Sequence, residues 1–197
     1  MSVAANSPVS RSEEILTVAQ NFIQSRGYNG FSYRDIAAEI GVKSASVHYH
    51  FPTKGDLGQA VTARYTKQFG QQLQQIEDSK ETARDRLQDY AILFQDTLIE
   101  RNLLCMCGML AGEIETLPDV VKAEVARFFE AQQQWLSNVI QTGIETQEIS
   151  SQVTAQTWAT TFLATLEGAM LISRGLNQNA QFDIVTHSLL NTLFTQP

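Results

Sequence analysis

Apolar residues recur at steps of three and four along nearly all of this 197-residue chain, and the breaks between such runs predict its helices. Ile15, Ala19, Phe22 and Ile23 form a first stripe, opened by Ser10-x-x-Glu13 and closed by Gly27, after a polar arm over residues 1–9. Ser32-x-x-Asp35 has the spacing of a second helix start; Ile36, Ala37 and Ile40 follow, and Gly41 supplies the turn. A short third helix over Ser44 to His50 turns Val47 inward and stops at Phe51-Pro52, since proline disfavours helical geometry in the residue before it. Thr53 caps a long fourth helix through Ala60, Val61, Tyr65, Phe69, Leu73 and Ile76. Beyond Ser79 the period predicts helices over about 82–100, 104–116, 119–144, 153–174 and 181–194. Strand-like alternation never persists, so the predicted fold class is all-α.

Two short helices joined by a glycine turn make a helix-turn-helix, whose second helix can enter the DNA major groove. A net charge of −7 argues against that until it is divided. Residues 1–60 carry five basic and five acidic groups, and all the excess acid lies beyond them. Between Gly41 and Gly55 there are two lysines, two histidines and no acid. The local charge suits a phosphate backbone while the remainder repels it, which excludes indiscriminate coating of nucleic acid.

The run Gly41-Val42-Lys43-Ser44-Ala45-Ser46-Val47-His48-Tyr49-His50-Phe51-Pro52-Thr53-Lys54 resembles the signature of the TetR (tetracycline-repressor type) family of bacterial regulators, above all at Gly41-Val42, Tyr49-x-Phe51 and Lys54. It departs from the usual pattern at Ser44-Ala45, where relatives often carry Lys-Gly, and at Pro52. The resemblance implies a three-helix DNA-binding head over residues 1–55, then a ligand-binding and dimerisation bundle of about six helices over 56–197. It also implies double-stranded operator DNA as a partner, contacted from Tyr33, Lys43, Ser44, Ser46, His48, Tyr49, His50 and Lys54. Lys54 stands in a helix's first turn, where positive charge opposes the dipole, and a bound phosphate would give it reason to be there.

The last two predicted helices are apolar on more than one face and so need two partners. A second copy of the chain, which the resemblance also implies, is the expected second partner, with Ala159, Gly168, Ala169, Leu189 and Leu193 the expected homodimer contacts and an intrachain core the competing reading. A surplus of large soft residues predicts an internal pocket for a small apolar or aromatic effector, lined by Phe94, Cys105, Met109, Phe128, Trp135, Phe162 and Leu166. Glu113 and Glu167 are candidate polar groups for it, with a solvated surface position the competing reading for each. Core packing alone is the competing account of the aromatics.

Cys105-Met106-Cys107 has no histidine cluster at zinc spacing, so neither metal nor cofactor is expected. On a helix the two thiols would point about 200° apart. Buried structural cysteine competes with electrophile or oxidant sensing through Cys105. An enzyme built on a nucleophilic cysteine would need a general base, and only His187 lies outside the head. With no signal-peptide pattern and no apolar run of membrane-spanning length, the expected location is the cytoplasm.

Overall fold

The computed structural model describes residues 10–149 and 152–194, so the N-terminal arm lies outside the described residues. The helices are α1 (Arg11–Arg26), α2 (Tyr33–Glu39), α3 (Ser44–His50), α4 (Lys54–Ser79), α5 (Ala83–Leu98), α6 (Met106–Gly112), α7 (Asp119–Glu145), α8 (Ala155–Leu176) and α9 (Ala180–Phe194). No strand occurs among the described residues.

The helix starts follow from local chemistry. Ser10, Thr53, Thr82 and Thr154 each accept a bond from a backbone N–H in the first turn of the helix that follows. At α2 the Asp35 carboxylate reaches back to the Ser32 N–H at 2.7 Å. Gly41, at φ +71°, makes the α2–α3 turn, and the Val42 N–H donates to Ala37 O at 2.9 Å. α8 ends on Asn177 in the left-handed region.

One expected helix is divided. Instead of a single element over 104–116, Cys105 is an extended N-cap residue, α6 is one helix of seven residues, and Ile114–Thr116 forms a separate 3-10 turn. Asn102, at φ +50°, turns the chain just before it, so α6 is a short crosspiece rather than another pillar.

α1, α2 and α3 close a small core around Ile15, Ile23, Phe31, Ile36 and Val47. α4 runs unbroken from that head into the body, where it packs on α7. α7 lies along α8, which pairs with α9, and α5 bridges α7 and α9. Rings fill the centre. Phe69 meets Phe128, Phe94 and Tyr90 at 5.5, 6.0 and 6.1 Å, while Tyr90 stacks on Trp135 at 5.4 Å.

Head and body are fastened at α6. The Gln24 side-chain amide of α1 donates to Leu104 O at 2.9 Å, and the Leu104 N–H returns a 3.4 Å bond to Gln24 O. Asn29 donates from its backbone N–H (3.0 Å) and from Nδ2 (2.6 Å) to Glu113 Oε2, and from Nδ2 to Thr116 Oγ1 at 2.8 Å. Gly27 makes this second point possible: it sits at φ +80°, and a Cβ there would lie 1.9 Å from Glu113 Oε1. Gly27→Ala combines backbone strain of ~1–3 kcal/mol with loss of that contact. It should lower the urea midpoint well beyond Glu113→Gln, which keeps the shape of the side chain. Equal midpoints for the two variants would show that neither strain nor the close approach matters.

Candidate nucleic-acid interface and effector core

Val47 anchors α3 with no exposed surface, leaving Lys43, His48 and Tyr49 exposed and Ser44, Ser46 and His50 half-buried. Tyr49 is the most exposed large hydrophobic residue of the head, at 84% of its surface, and its ring stands edge-on to His50. A hollow of about 620 Å³ between the start of α2 and α3 brings Tyr33, Ser44, His48 and Lys54 together. Ser32 and Arg34 complete its polar wall, and the apolar pattern pointed to neither.

Two expected contacts differ in detail. The Tyr33 hydroxyl, expected near the groove, turns inward and donates to Phe51 O (2.9 Å) and Thr53 O (2.6 Å). Burial pushes it well above the ordinary tyrosine range, so it is a fixed donor tying α2 to the α3–α4 junction. Its ring supports His48 at 4.5 Å. The Lys54 ammonium is half-buried: it donates to Phe31 O at 2.5 Å and lies over the Phe31 and Tyr28 rings at 4.4 and 4.8 Å. Desolvation lowers its pKa, against the attraction of Glu113 and Asp35. These contacts account for a lysine at a helix N-terminus without DNA, and they leave two of its three donors for a phosphate.

In the body, the predicted lining separates into two groups. Phe128, Phe162 and Leu166 are fully enclosed, Trp135 is stacked on Tyr90, and half-buried Met109 packs against the core. These side chains fill space rather than surround it, as the core-packing alternative requires. Empty space of about 150 Å³, too tight for a water-sized sphere, lies beside them, walled by Tyr65, Phe69, Leu93, Phe94, Thr97, Cys105 and Met170. Of the seven expected residues, only Phe94 and Cys105 line it.

Glu113 and Glu167 also part company. Glu113 belongs to the head–body fastening, whereas Glu167 is half-buried with its Oε1 fully enclosed, contrary to the solvated position weighed against a pocket role. Its carboxyl meets the Cys105 thiol, Oε2 lies where a Cβ on Gly108 would come within 2.4 Å, and Oε1 is buried with no partner. Desolvation raises the Glu167 pKa to about 7. The Tyr65 hydroxyl faces Cys105 Sγ at 3.9 Å, and Tyr90 Oη and Trp135 Nε1 are likewise buried without partners.

Burial, and then Glu167, push the Cys105 thiol well above its ordinary value, and burial and Glu167 do the same to Cys107. A reactive sensor needs thiolate at neutral pH, and this environment suppresses it. Among the described residues no group of three side chains could hold a metal, and no helix is long and apolar enough to cross a membrane.

The expected dimer contacts divide between two faces. Ala159, Ala169 and Leu193 are enclosed by their own chain, while Leu189, largely buried, still lines the groove between α8 and α9. Ala159, Ala169 and Leu193 lie on the inner faces of their helices. The outer face of α8 and α9 carries Gly168, which has open space beyond it, with Ile172 (57% exposed) and Ile184 (62% exposed).

A tri-helical head with an exposed second helix, joined by one long helix to an all-α body, defines the helix-turn-helix transcriptional regulators. The model for bacterial regulatory proteins of the tetR family matches residues 15–61, and that for the tetracyclin repressor-like C-terminal domain matches residues 86–189. The chain belongs to the TetR family and is a DNA-binding transcriptional regulator, in a class that binds operators as dimers answering to small molecules and is not enzymatic. It is similar to the HTH-type transcriptional repressor DhaR of Mycobacterium sp. (strain GP1), 29% identical over 147 residues, which are 74% of this chain and 73% of that one. A TetR-family regulator from Agrobacterium tumefaciens superposes with TM-score 0.92 at 32% identity, covering 96% of this chain and all of the other. One from Legionella pneumophila gives 0.87 at 31%, covering 95% and 100%.

The Glu167 carboxyl yields a pH prediction. Because its pKa is raised in the folded state, to about 7 from 4.5, the stability it contributes is full below the unfolded value. That contribution is lost as pH rises through the folded one. Glu167→Gln removes this dependence. Between pH 5 and pH 8 the wild type should therefore lose on the order of 2–3 kcal/mol relative to the variant in urea unfolding. Parallel pH curves would mean that the carboxyl titrates as if in water.

Proposed function

We propose that the protein is a cytoplasmic homodimeric repressor whose two heads grip operator half-sites and whose body releases them when a small effector binds. One observation carries this reading. Cys105 lines the empty space in the body, and its neighbour Leu104 is hydrogen-bonded to Gln24 in the head. A ligand that shifts the start of α6 therefore pulls on α1. The boundary between the two functional units falls at about residue 55, in the first turn of α4. The similarity to a named repressor supports repression over activation.

On DNA, Tyr49 and Lys54 take phosphates. Lys43, Ser44, Ser46, His48 and His50 approach the groove, and Tyr33 holds His48 in place. Half-sites of a dimer lie about 34 Å apart. Replacing Lys54 by alanine should weaken operator binding and lower the slope of log K against log salt by roughly 1, and Tyr49→Phe should weaken binding with the dimer intact. An unchanged affinity and slope for Lys54→Ala would confine that lysine to the Phe31 carbonyl and the two rings.

Dimerisation through the outer face of α8 and α9 is supported by the exposure of Ile172 and Ile184 and by a groove of about 480 Å³ between the helices. A single charge there, Ile172→Asp or Ile184→Asp, should give monomers in sedimentation velocity and abolish operator binding, because desolvating an unpaired carboxylate is costly. Dimers from both variants would move the interface elsewhere.

A further inference from the structure

The space beside Cys105 is not sealed from the surface by anything but a ring of side chains. A cleft of about 430 Å³ opens between α1, α4 and α5, with Gln68, Gln72, Asp96 and Arg101 among its polar walls. Its floor is Tyr65, Phe69, Leu93 and Thr97, and the same four residues form the outer wall of the inner space. Cleft and inner space are thus two chambers separated by one layer of side chains. Met170, on the far wall, is the most deformable residue of the set.

The inner end has a definite chemistry. Glu167 touches Cys105, the residue that walls the space at this end, with its Oε1 unpartnered, and among the described residues no cation acts on its titration. The titratable groups that act on this end are Tyr65 of α4, Tyr90 of α5, and Cys105 and Cys107 at α6. Burial holds all four neutral at ordinary pH, so none offers a counter-charge. Tyr65, Phe69 and Phe94 line the space, and the faces of aromatic rings attract positive charge. An anionic ligand would meet an acid in a low-dielectric site and be repelled.

We propose that this inner chamber takes a compact organic cation, an alkyl- or arylammonium that enters through the glutamine-lined cleft and sets its N–H groups against Glu167. The assignment rests on the effector reading above and names the ligand class for it. Binding replaces the proton on Glu167 with the ligand's charge. The carboxyl ionises, an ion pair forms, and the displaced proton leaves to solvent. The ligand also needs room, so Met170 and the side chains at the Leu93 layer must move, and the first backbone they would disturb is the Leu104–Cys105 step.

The test uses the full-length protein, with benzylammonium, benzyltrimethylammonium and benzyl alcohol as probes. Calorimetry is run at pH 7 in two buffers of different ionisation enthalpy. Benzylammonium should bind at least tenfold more tightly than benzyl alcohol and release protons. Because Glu167 is half-protonated near pH 7, the affinity should rise about tenfold from pH 6 to pH 8. Glu167→Gln should remove the proton release and the preference for the ammonium. Should that variant not fold, Leu93→Trp, at a half-buried position in the dividing layer, should block benzylammonium while leaving the Glu167 titration in place. Equal binding of the alcohol, absence of proton release, undiminished binding to Glu167→Gln or binding of no probe overturns the proposal. Equal binding of benzyltrimethylammonium overturns the N–H contact and assigns recognition to the rings. If benzyl alcohol alone binds and releases operator, the cation is excluded while the effector reading stands. If no small molecule that binds the body alters operator affinity, that reading falls as well.

Discussion

The fastening between the head and α6 is the constraint on which regulation in this molecule depends. α4 alone would join the head to the body as a single rod and leave the head free to swing about its first turns. Gln24 with Leu104 and Asn29 with Glu113 add contacts at both ends of α6, so that the angle of the head is set by where α6 lies. Gly27 is part of the device, since a Cβ there would displace Glu113. α6 is short, begins on an extended residue and ends on a 3-10 turn, which lets it shift as a unit without distorting a long helix. Shifts of short elements between packed positions are a common form of switch.

Against this, the centre of the body is built to resist movement. Phe69, Tyr90, Phe128 and Phe162 interlock at ring distances near 6 Å, and such a core has few intermediate arrangements. The loose part lies at its edge, where Cys105, Met170 and Glu167 meet. A buried acid with one unpartnered oxygen is unfavourable in the empty protein. It persists where nothing larger than a carboxyl fits, or where a ligand completes it. The raised pKa lessens the cost by keeping the group largely neutral below about pH 7. Position favours the second account, because the acid touches the residue that caps α6.

The legible parts of the sequence were those written in local chemistry. Ser10, Ser32 and Thr53 marked helix starts because a capping side chain acts within three residues of itself, and Gly41 marked the turn because φ there is positive. The apolar period located nearly every helix for the same reason. What failed depended on which of two apolar faces a helix turns inward. Ala159, Ala169 and Leu193 read as interface residues because α8 and α9 are apolar on more than one face, and periodicity does not say which face meets the chain's own core. The pocket lining was legible only at Phe94 and Cys105, since large rings fill space as readily as they enclose it. Glu167 looked like a surface residue because a lone acid usually is one. Its burial follows from Gly108, sixty residues away in sequence, leaving room for a carboxyl that no local pattern could reveal. Tyr33 and Lys54 were placed at the right surface, but their inward bonds to the carbonyls of Phe31, Phe51 and Thr53 depend on how three helices meet.

The strength of the fastening sets what an effector must supply. Each hydrogen bond of this kind is worth about 0.5–1.5 kcal/mol net, and those of Asn29 and Glu113 are exposed and so fall toward the lower end. Loss of the five bonds at α6 would therefore cost a few kcal/mol, the same order as the ~1–3 kcal/mol typical of allosteric coupling. A ligand shifts such an equilibrium only by the difference between its affinities for the two states. Contacts with the rigid ring cluster are alike in both states and add affinity without signal. Contacts at the mobile edge change with α6, and there a charge-assisted bond to a desolvated carboxyl is stronger than a neutral one. A single polar contact at Glu167 can thus carry the switching energy, while the rings provide binding that is indifferent to the state of the head.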